Sequence, residues 1–333
     1  MADERQWNGR SHERFIYAPK ATQAPRRQAT TQPHHLDLFD PAPYWARDCG
    51  LESAAESMQG RVGMFSRRKF GSTLAGLSIA LCAPPAAIGK ARSRFAWPDA
   101  KRAAVSLTYD DGLDSQLANA APQLEAHGFR GTFFLTEENM EARLDDWVAL
   151  AERGHEIGDH TMTHPCELRP YDATRFQRQQ LAPMEAFLDT HFTEPRPRLF
   201  AYPCGATELG ARGSVNARRR AYERLMRRDF LAARIVDGGP NDPRLALRFR
   251  YLLQANAPTY DQDLAQPALD YVQRSIDRGY WAILIFHDVV DQRKDTGQTS
   301  CATHEAILNW IASQPVWCAP MRETFNYIQA NIA

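Results

Sequence analysis

Short apolar runs alternate with longer amphipathic stretches along this chain from residue 103 onward. Apolar and β-branched runs bounded by turn residues are typical of buried strands, and apolar positions recurring every three to four residues predict helices. The predicted strands cover 103–109, 131–136, 198–202, 230–236, 281–286 and 315–319. The predicted helices cover roughly 114–127, 141–153, 173–190, 216–228, 261–278, 303–313 and 321–331. Strands that alternate with helices indicate a parallel α/β sheet, either open or closed into a barrel.

The first 91 residues do not share this pattern. Residues 1–63 are polar and show no sustained period, so we predict no fold there, and Met64 looks like the true start after an over-extended gene start. Residues 64–91 carry a twin arginine, a short apolar stretch and then small residues, which is typical of a twin-arginine export signal. A buried helix with a basic cap is the alternative. The signal predicts a domain at 92–333 that is exported to the periplasm or secreted.

The charge balance excludes some classes of partner. Forty basic and forty acidic residues give a formal net charge of zero and a pI near 7.1, so no global charge favours nucleic acid. No glycine-rich phosphate loop follows a predicted strand, which weakens nucleotide binding. The apolar part of residues 64–91 is shorter than the roughly 20 residues that a bilayer span requires. We therefore expect no nucleic acid and no stable membrane span, and the oligomeric state stays open.

Two adjacent acids follow the first predicted strand. The run S-L-T-Y-D-D-G ends in Asp110, Asp111 and Gly112. A simple turn is one interpretation, because Asp and Gly are common turn residues. A catalytic site is the other, because parallel α/β folds place their chemistry at the carboxyl ends of the strands.

A pair of histidines supports the second interpretation. His160 and His164 are four residues apart, a spacing that places two imidazoles on one face of a helical turn, so that both could bind one ion. Two histidines and a carboxylate are a common ligand set for catalytic zinc, which leaves one position open for water. Successive side chains on extended backbone diverge, so one aspartate can bind the metal while its neighbour stays free as a base.

Four ordered motifs then carry a resemblance. T-Y-D-D-G, H-T-M-T-H, F-A-Y-P-C-G and L-I-F-H-D, spread over residues 100–330, resemble the polysaccharide deacetylases (carbohydrate esterase family 4, the NodB homology domain), in the subgroup with F-A-Y-P-x-G. The resemblance implies a single catalytic domain that folds as a distorted (β/α) barrel. It also implies metal-dependent removal of acetyl groups from an acetylated carbohydrate.

The resemblance assigns roles by position. Asp110 matches the general base, and His287, at the end of a predicted strand, matches the general acid. Asp111, His160 and His164 match the ligands of one divalent metal, expected to be Zn2+ with Co2+, Ni2+ or Mn2+ tolerated. The implied substrate and oxyanion residues are Tyr202, Cys204, whose backbone N–H would face the oxyanion, Gly205, and Ile285, which would pack near the acetyl methyl group. We interpret the remaining histidines of the predicted domain, His127, His155, His191 and His304, as core or loop residues.

The chain also departs from the family pattern. Ala201 stands where many members carry an arginine that orients the base, and Cys204 replaces the usual aromatic residue. Arg196 and Arg198 are candidates to replace that arginine. The D-x-W element that commonly tunes the acid histidine is missing, and Asp237 is the nearest candidate for its acid.

Four cysteines follow the signal, which allows two disulfides in an oxidising compartment with three connectivities. On the resemblance, Cys166 and Cys204 lie in loops at the same end of the barrel, which predicts a bond between them. Cys301 and Cys318 flank a predicted helix and form the second expected pair.

Three functional hypotheses remain open. The first is an N-deacetylase that acts on an N-acetylhexosamine polymer or oligomer of the chitin or peptidoglycan kind. The second is an O-acetyl esterase with the same site, for example on acetylated xylan. The third is a sugar-binding barrel without turnover, against which the presence of all five implied catalytic and metal-binding residues argues.

Overall fold

The computed structural model describes residues 95–332, and the predicted export signal and the segment before it lie outside this range. The centre of the domain is a sheet of parallel strands. Its strands are β1 Ala103–Asp111, β2 Thr132–Leu135, β3 Glu156–Asp159, β4 Leu199–Ala201, β5 Ala232–Arg234, β6 Trp281–Phe286 and β9 Val316–Cys318. Two further strands, β7 Asp288–Val290 and β8 Gln298–Ser300, form a small parallel pair of their own.

The strand order is β5-β4-β3-β2-β1-β6, and β9 pairs with the first residues of β1, before β2 begins to pair with it. A short extended segment that includes Leu253 and Asn256 closes the gap between β5 and β6. Leu253 exchanges backbone hydrogen bonds with Ala233 and Ile235, and Asn256 does the same with Ile283 and Ile285. The sheet therefore curls into a distorted α/β barrel, as predicted.

Helices cover the outside of this barrel. They are α1 Ala121–Ala126, α2 Glu137–Met140, α3 Leu144–Glu152, α4 Ala173–Phe176, α5 Ala182–His191, α6 Val215–Asp229, α7 Pro243–Arg248, α8 Gln266–Arg278, α9 Cys301–Ser313 and α10 Met321–Asn331. π-helical turns at Gln116–Ala120 and Gln177–Leu181 lead into α1 and α5. Within residues 95–332, no helix has the length and apolar character that a membrane crossing requires.

Alternation along β1 separates the two faces of the sheet. Val105, Leu107 and Tyr109 pack outward among the helices, so Ala104 and Asp110 face the barrel interior. The interior is lined by apolar residues from neighbouring strands, among them Phe134 and Ile285. Asp110, the last interior residue of β1, therefore lies near the ends of the neighbouring strands at the carboxyl end of the barrel.

The structure corrects three details of the predicted elements. β3 was not predicted, because E-I-G-D is a short run with two acids and little apolar character. The helix predicted at 261–278 begins only at Gln266. The short helix α7 and the pair β7–β8 carry too few residues for a periodic pattern to appear in the sequence.

A buried histidine outside the catalytic region links three elements of the core. The Tyr109 hydroxyl lies 2.7 Å from His304 Nε2, and His304 Nδ1 lies 2.6 Å from Gln123 Oε1. Burial lowers the pKa of His304 to about 3. Because the unfolded chain binds this proton near its ordinary pKa of about 6.5, the stabilisation is complete above that pH and is lost as the pH falls towards 3.

We therefore predict that the free energy of unfolding falls between pH 7 and pH 5, and that His304→Gln reduces this fall. A single group of this kind contributes up to about 1.4 kcal/mol per pH unit. Chemical denaturation of both proteins at each pH measures the difference, and subtraction removes groups common to both. Identical pH dependence in the two proteins would contradict the burial of a neutral His304.

Candidate active site

The two acids at the end of β1 point in different directions. Asp110 is buried in the barrel, whereas Asp111 is partly exposed and has a backbone φ of 78°. A left-handed conformation costs a residue with a side chain roughly 1–2 kcal/mol. Two side chains hold the turn, because Thr136 Oγ1 and Asn139 Nδ2 both donate hydrogen bonds to the Asp111 carbonyl oxygen. The turn directs the Asp111 carboxylate towards the loop after β3.

His160 comes directly after β3 and is almost fully buried. Its Nδ1 lies 2.8 Å from the carbonyl oxygen of Ala201. A carbonyl can only accept, so Nδ1 carries the proton and Nε2 presents a lone pair. That Nε2 atom lies 3.5 Å from Asp111 Oδ1. Two acceptors thus face each other, an arrangement that a cation between them would stabilise.

His164 completes the group, with its Nε2 also 3.5 Å from Asp111 Oδ1. The helical turn inferred from the four-residue spacing is wrong, because residues 160–164 form an irregular loop. Thr161 and His164 both have positive φ, 71° and 48°. The loop is held by hydrogen bonds from Thr161 N–H to Asp159 and from His164 N–H to Thr161 Oγ1. The backbone of this loop, rather than a helix face, brings the imidazoles together.

These three side chains fit a divalent metal. Their ligand atoms lie within 4.8 Å of one another, and Asp111 Oδ1 is buried with no hydrogen-bond donor in the described part of the chain. Burial lowers the pKa of His160 to about 3 and also lowers that of His164, so both imidazoles are neutral at pH 7, as metal ligands must be. Burial and then the nearby Asp110 charge raise the pKa of Asp111 to about 6. Two histidines and one carboxylate suit zinc.

Asp110 has a different partner, the guanidinium of Arg234. Arg234 Nη2 donates to Asp110 Oδ1, and the guanidinium lies over the Phe134 ring, 4.7 Å from its centre. Burial alone would raise the pKa of Asp110, but the charge of Arg234 and its hydrogen bond lower it overall. Asp110 is therefore held as a carboxylate beside the three ligands.

Neither arginine suggested by the sequence reaches Asp110. Arg198 Nη1 lies 2.8 Å from Asp189 Oδ1 and 3.2 Å from Glu185 Oε2. Arg196 pairs with the same two carboxylates. Both arginines precede β4, at the end of the barrel away from the ligands, so the hypothesis that one of them replaces the family arginine is wrong.

His287 follows β6 and stands next to Asp110 on the neighbouring strand, one residue beyond the register pair Tyr109–Phe286. The buried Gln116 amide joins the two strand ends, since its Nε2 donates to the carbonyl oxygens of Asp110 and His287. Asp237 is exposed, and no hydrogen bond or ion pair to His287 occurs within residues 95–332, so its candidacy as the tuning acid gains no support. The His287 ring instead packs edge-on against Tyr260, at 5.5 Å.

The structure places the implied substrate residues in different parts of the barrel. Cys204 lies in the turn after β4, and its N–H has no acceptor in the described chain, whereas the N–H groups of Gly205 and Ala206 bond within the turn. Ile285 is buried on the interior face of β6. The Tyr202 side chain lies in the outer core, where its hydroxyl donates to the Tyr251 carbonyl oxygen. Tyr202 can therefore contribute to the site only through its backbone.

A disulfide joins Cys166 to Cys204, with a Cα–Cα distance of 5.4 Å, as predicted. It tethers the loop that carries His164 to the turn that carries the Cys204 N–H. The two sulfur atoms also lie near His164, but the bond between them removes them as thiolate ligands. The second predicted pair is wrong, because Cys301 and Cys318 are free thiols.

Three residues of this site were missed by sequence reasoning. Arg234 carried a signal, because a charged residue inside the apolar run F-L-A-A-R-I-V must find a partner when it is buried. Gln116 and Tyr260 carried none, because their roles depend on how β1 and β6 end side by side. Tyr260 is also one of the most exposed large hydrophobic side chains in the described chain, at 46%.

The family comparison agrees with this geometry. Residues 98–219 match the sequence profile described as polysaccharide deacetylase. This segment belongs to the polysaccharide deacetylase family. The match contains the two aspartates, the two histidine ligands and Cys204, and it ends before Arg234 and His287.

Curated relatives of this polysaccharide deacetylase segment match over short stretches. A gellan lyase from Bacillus sp. is 30% identical over 127 residues, which are 36% of this chain and 5% of that protein. A peptidoglycan-N-acetylglucosamine deacetylase from Bacillus cereus is 40% identical over 65 residues, which are 19% of this chain and 24% of that protein. The chain thus spans less than a quarter of the length of either relative.

A solved structure supports the fold. The crystal structure of a Mycobacterium smegmatis protein assigned to the polysaccharide deacetylases superposes with a TM-score of 0.53 and 17% identity, covering 72% of this chain and 94% of that one. At this identity the likeness establishes the shared barrel fold. The chemistry of this domain must be inferred from its own residues.

We predict that Cys166→Ser/Cys204→Ser weakens Zn2+ binding about tenfold, the lower end of the effect when groups that orient metal ligands are lost. Loss of the 38-residue loop closure should also lower the free energy of unfolding, by up to roughly 4 kcal/mol. Competition with a chromophoric chelator measures the affinity, at a temperature where both proteins are folded. Cys301→Ser is the control and should change neither quantity; unchanged affinity in the double variant would show that the tether does not position His164.

Proposed function

We propose that this domain is a metal-dependent hydrolase that removes acetyl groups from the amino sugars of an N-acetylhexosamine glycan of the chitin or peptidoglycan kind. The observation that carries the proposal is the division of labour between the adjacent aspartates. Asp111 converges with His160 and His164, while Asp110 is held apart by Arg234. A carboxylate that is close to a metal site but committed to another partner is placed to act as a base.

The residues of the chain then take distinct roles. A bound divalent metal would supply Lewis acidity to the site and lower the pKa of a water molecule there. Asp110 takes the proton of the attacking water, because its Oδ2 faces the ligand side, 3.8 Å from His160 Nε2. The Cys204 N–H donates to the oxygen that becomes negative when the acetyl carbonyl is attacked.

His287 gives a proton to the leaving nitrogen. A neutral amide nitrogen is a very poor leaving group, so an amide substrate depends on this proton more than an acetate ester does. The exposed Tyr260 ring beside His287 offers an apolar face next to the acid, which supports a carbohydrate substrate because the C–H faces of sugar rings pack on aromatic rings. Ile285 supplies an apolar wall for the acetyl methyl group.

We also propose that the domain works outside the cytoplasm. The Cys166–Cys204 bond supports this, because disulfides persist in oxidising compartments. The twin-arginine pattern at 64–91 supports it independently.

Acetate release tests the function. The protein is incubated with chitooligosaccharides, peptidoglycan and acetylxylan as prepared, after chelation, and after Zn2+ is restored. We expect release from an amino-sugar substrate that chelation abolishes and Zn2+ restores. Release from acetylxylan alone would favour the O-acetyl esterase, and release that survives metal removal would contradict the proposal.

The two aspartates can be separated in the same assay. Asp110→Asn should keep one Zn2+ per chain and lower kcat at least about 10²-fold, the scale of a positioned general base. His160→Ala is the matched variant and should lose metal and activity together. Metal analysis of both variants decides the assignment; loss of zinc from Asp110→Asn would reverse the roles of the two aspartates.

A further inference from the structure

The guanidinium that holds Asp110 comes from an unexpected strand. Arg234 is the last residue of β5, and its register partner on β4 is Ala201. Residues paired in register on adjacent strands project to the same face of a sheet, about 5 Å apart. The two positions therefore open into the same region of the barrel. Ala201 is also the position at which the family resemblance leads us to expect an arginine.

The side chains between Arg234 and Asp110 leave a path across the barrel. β3 contributes Gly158, and a Cβ added there would come within 2.5 Å of the Phe134 ring. β4 contributes only the methyl group of Ala201. The Phe134 ring forms the floor of the path, with the guanidinium stacked over it. Small residues on two strands thus allow the long side chain from the third to reach β1.

The arrangement leaves one oxygen of the base free. Arg234 occupies Asp110 Oδ1, and Oδ2 faces His160 on the ligand side. Arg234 is itself fully buried, and no other carboxylate pairs with it within residues 95–332. Burying a charged group is costly unless it is paired, so the position of each partner fixes that of the other.

We propose that Arg234 is the positioning residue for the base Asp110, and that it has taken over from β5 the role that the family pattern places at position 201 on β4. The proposal rests on the proposed function, because Asp110 must act as a base for its orientation to matter. In physical terms, an arginine at either of two register-paired positions, 201 or 234, can place its guanidinium at Asp110 Oδ1.

Exchange of the two side chains tests the proposal. Arg234→Ala should lower kcat about 10²-fold or more, with KM changed little and one Zn2+ retained per chain. Adding Ala201→Arg to that variant should restore kcat about tenfold or more over Arg234→Ala. Arg198→Ala is the matched control, because it removes an equally buried arginine that lies just before β4; it should lower the melting temperature and leave kcat unchanged.

Several results would overturn the proposal. They are an unchanged kcat in Arg234→Ala, a loss of activity explained by loss of Zn2+, and no recovery in a folded exchange variant. If Arg234→Ala does not fold, the exchange variant (Arg234→Ala with Ala201→Arg) and Arg234→Lys decide the question. An active exchange variant and an impaired Arg234→Lys variant support the proposal. An inactive exchange variant and an unimpaired Arg234→Lys variant overturn it.

A readout without substrate separates this inference from the function itself. A double-mutant cycle of Asp110→Asn and Arg234→Lys, followed by chemical denaturation, should be strongly non-additive because the two side chains share one buried contact. If the cycle is non-additive but the protein releases no acetate from any substrate, the contact between Asp110 and Arg234 is supported and the proposed function is overturned. Additivity together with an unchanged kcat in Arg234→Lys, in a protein that does release acetate, would overturn the role of Arg234.

Discussion

The site depends on the separation of two adjacent carboxylates at the end of β1. Side by side in a partly buried position they repel each other, and each resists ionisation. The left-handed backbone at Asp111, with φ of 78°, turns its side chain away from that of Asp110. Each carboxylate then has its own partner: the Arg234 guanidinium for Asp110, and for Asp111 the His160 and His164 imidazoles, with which it forms a group that could hold a metal ion.

Strained backbone recurs around this point. Thr161, His164 and Cys204 also have positive φ, and together with Asp111 they are four of the six non-glycine residues with positive φ in the described chain. Such conformations persist only where the surrounding structure fixes them, and they concentrate at functional sites. Here the Cys166–Cys204 disulfide, the hydrogen bonds around Thr161 and the bonds to the Asp111 carbonyl fix them. Part of the free energy of folding is therefore used to hold these residues in unfavourable backbone conformations.

The sequence predicts much of this arrangement, for physical reasons. Strongly apolar strands such as β6 were predicted with their observed bounds, 281–286, because burial on both faces leaves an unbroken apolar run. The structure brings Asp111, His160 and His164 together, because parallel strands bring their carboxyl ends to one edge. The helical spacing assumed for the histidines was wrong, since a loop with left-handed residues places two side chains together without any period.

Arg234 shows the limit of reasoning by motif position. A motif assigns a role to a place in the sequence, but an interior guanidinium can reach Asp110 from either of two register-paired residues. Only the pairing of Ala201 with Arg234 and the absence of a Cβ at Gly158 reveal the path. The same limit applies to Gln116, whose amide donates to the carbonyl oxygen of His287, 171 residues further along the chain.

The division of labour between the aspartates is tested most directly by locating the metal. Crystals of the zinc-loaded protein, measured on both sides of the zinc absorption edge, give an anomalous difference map that shows the ion alone. The account predicts one peak about 2.0–2.2 Å from Asp111 Oδ1, His160 Nε2 and His164 Nε2, with Asp110 still bonded to Arg234. A peak ligated by Asp110, or one at the Cys166 and Cys204 sulfur atoms, would contradict it.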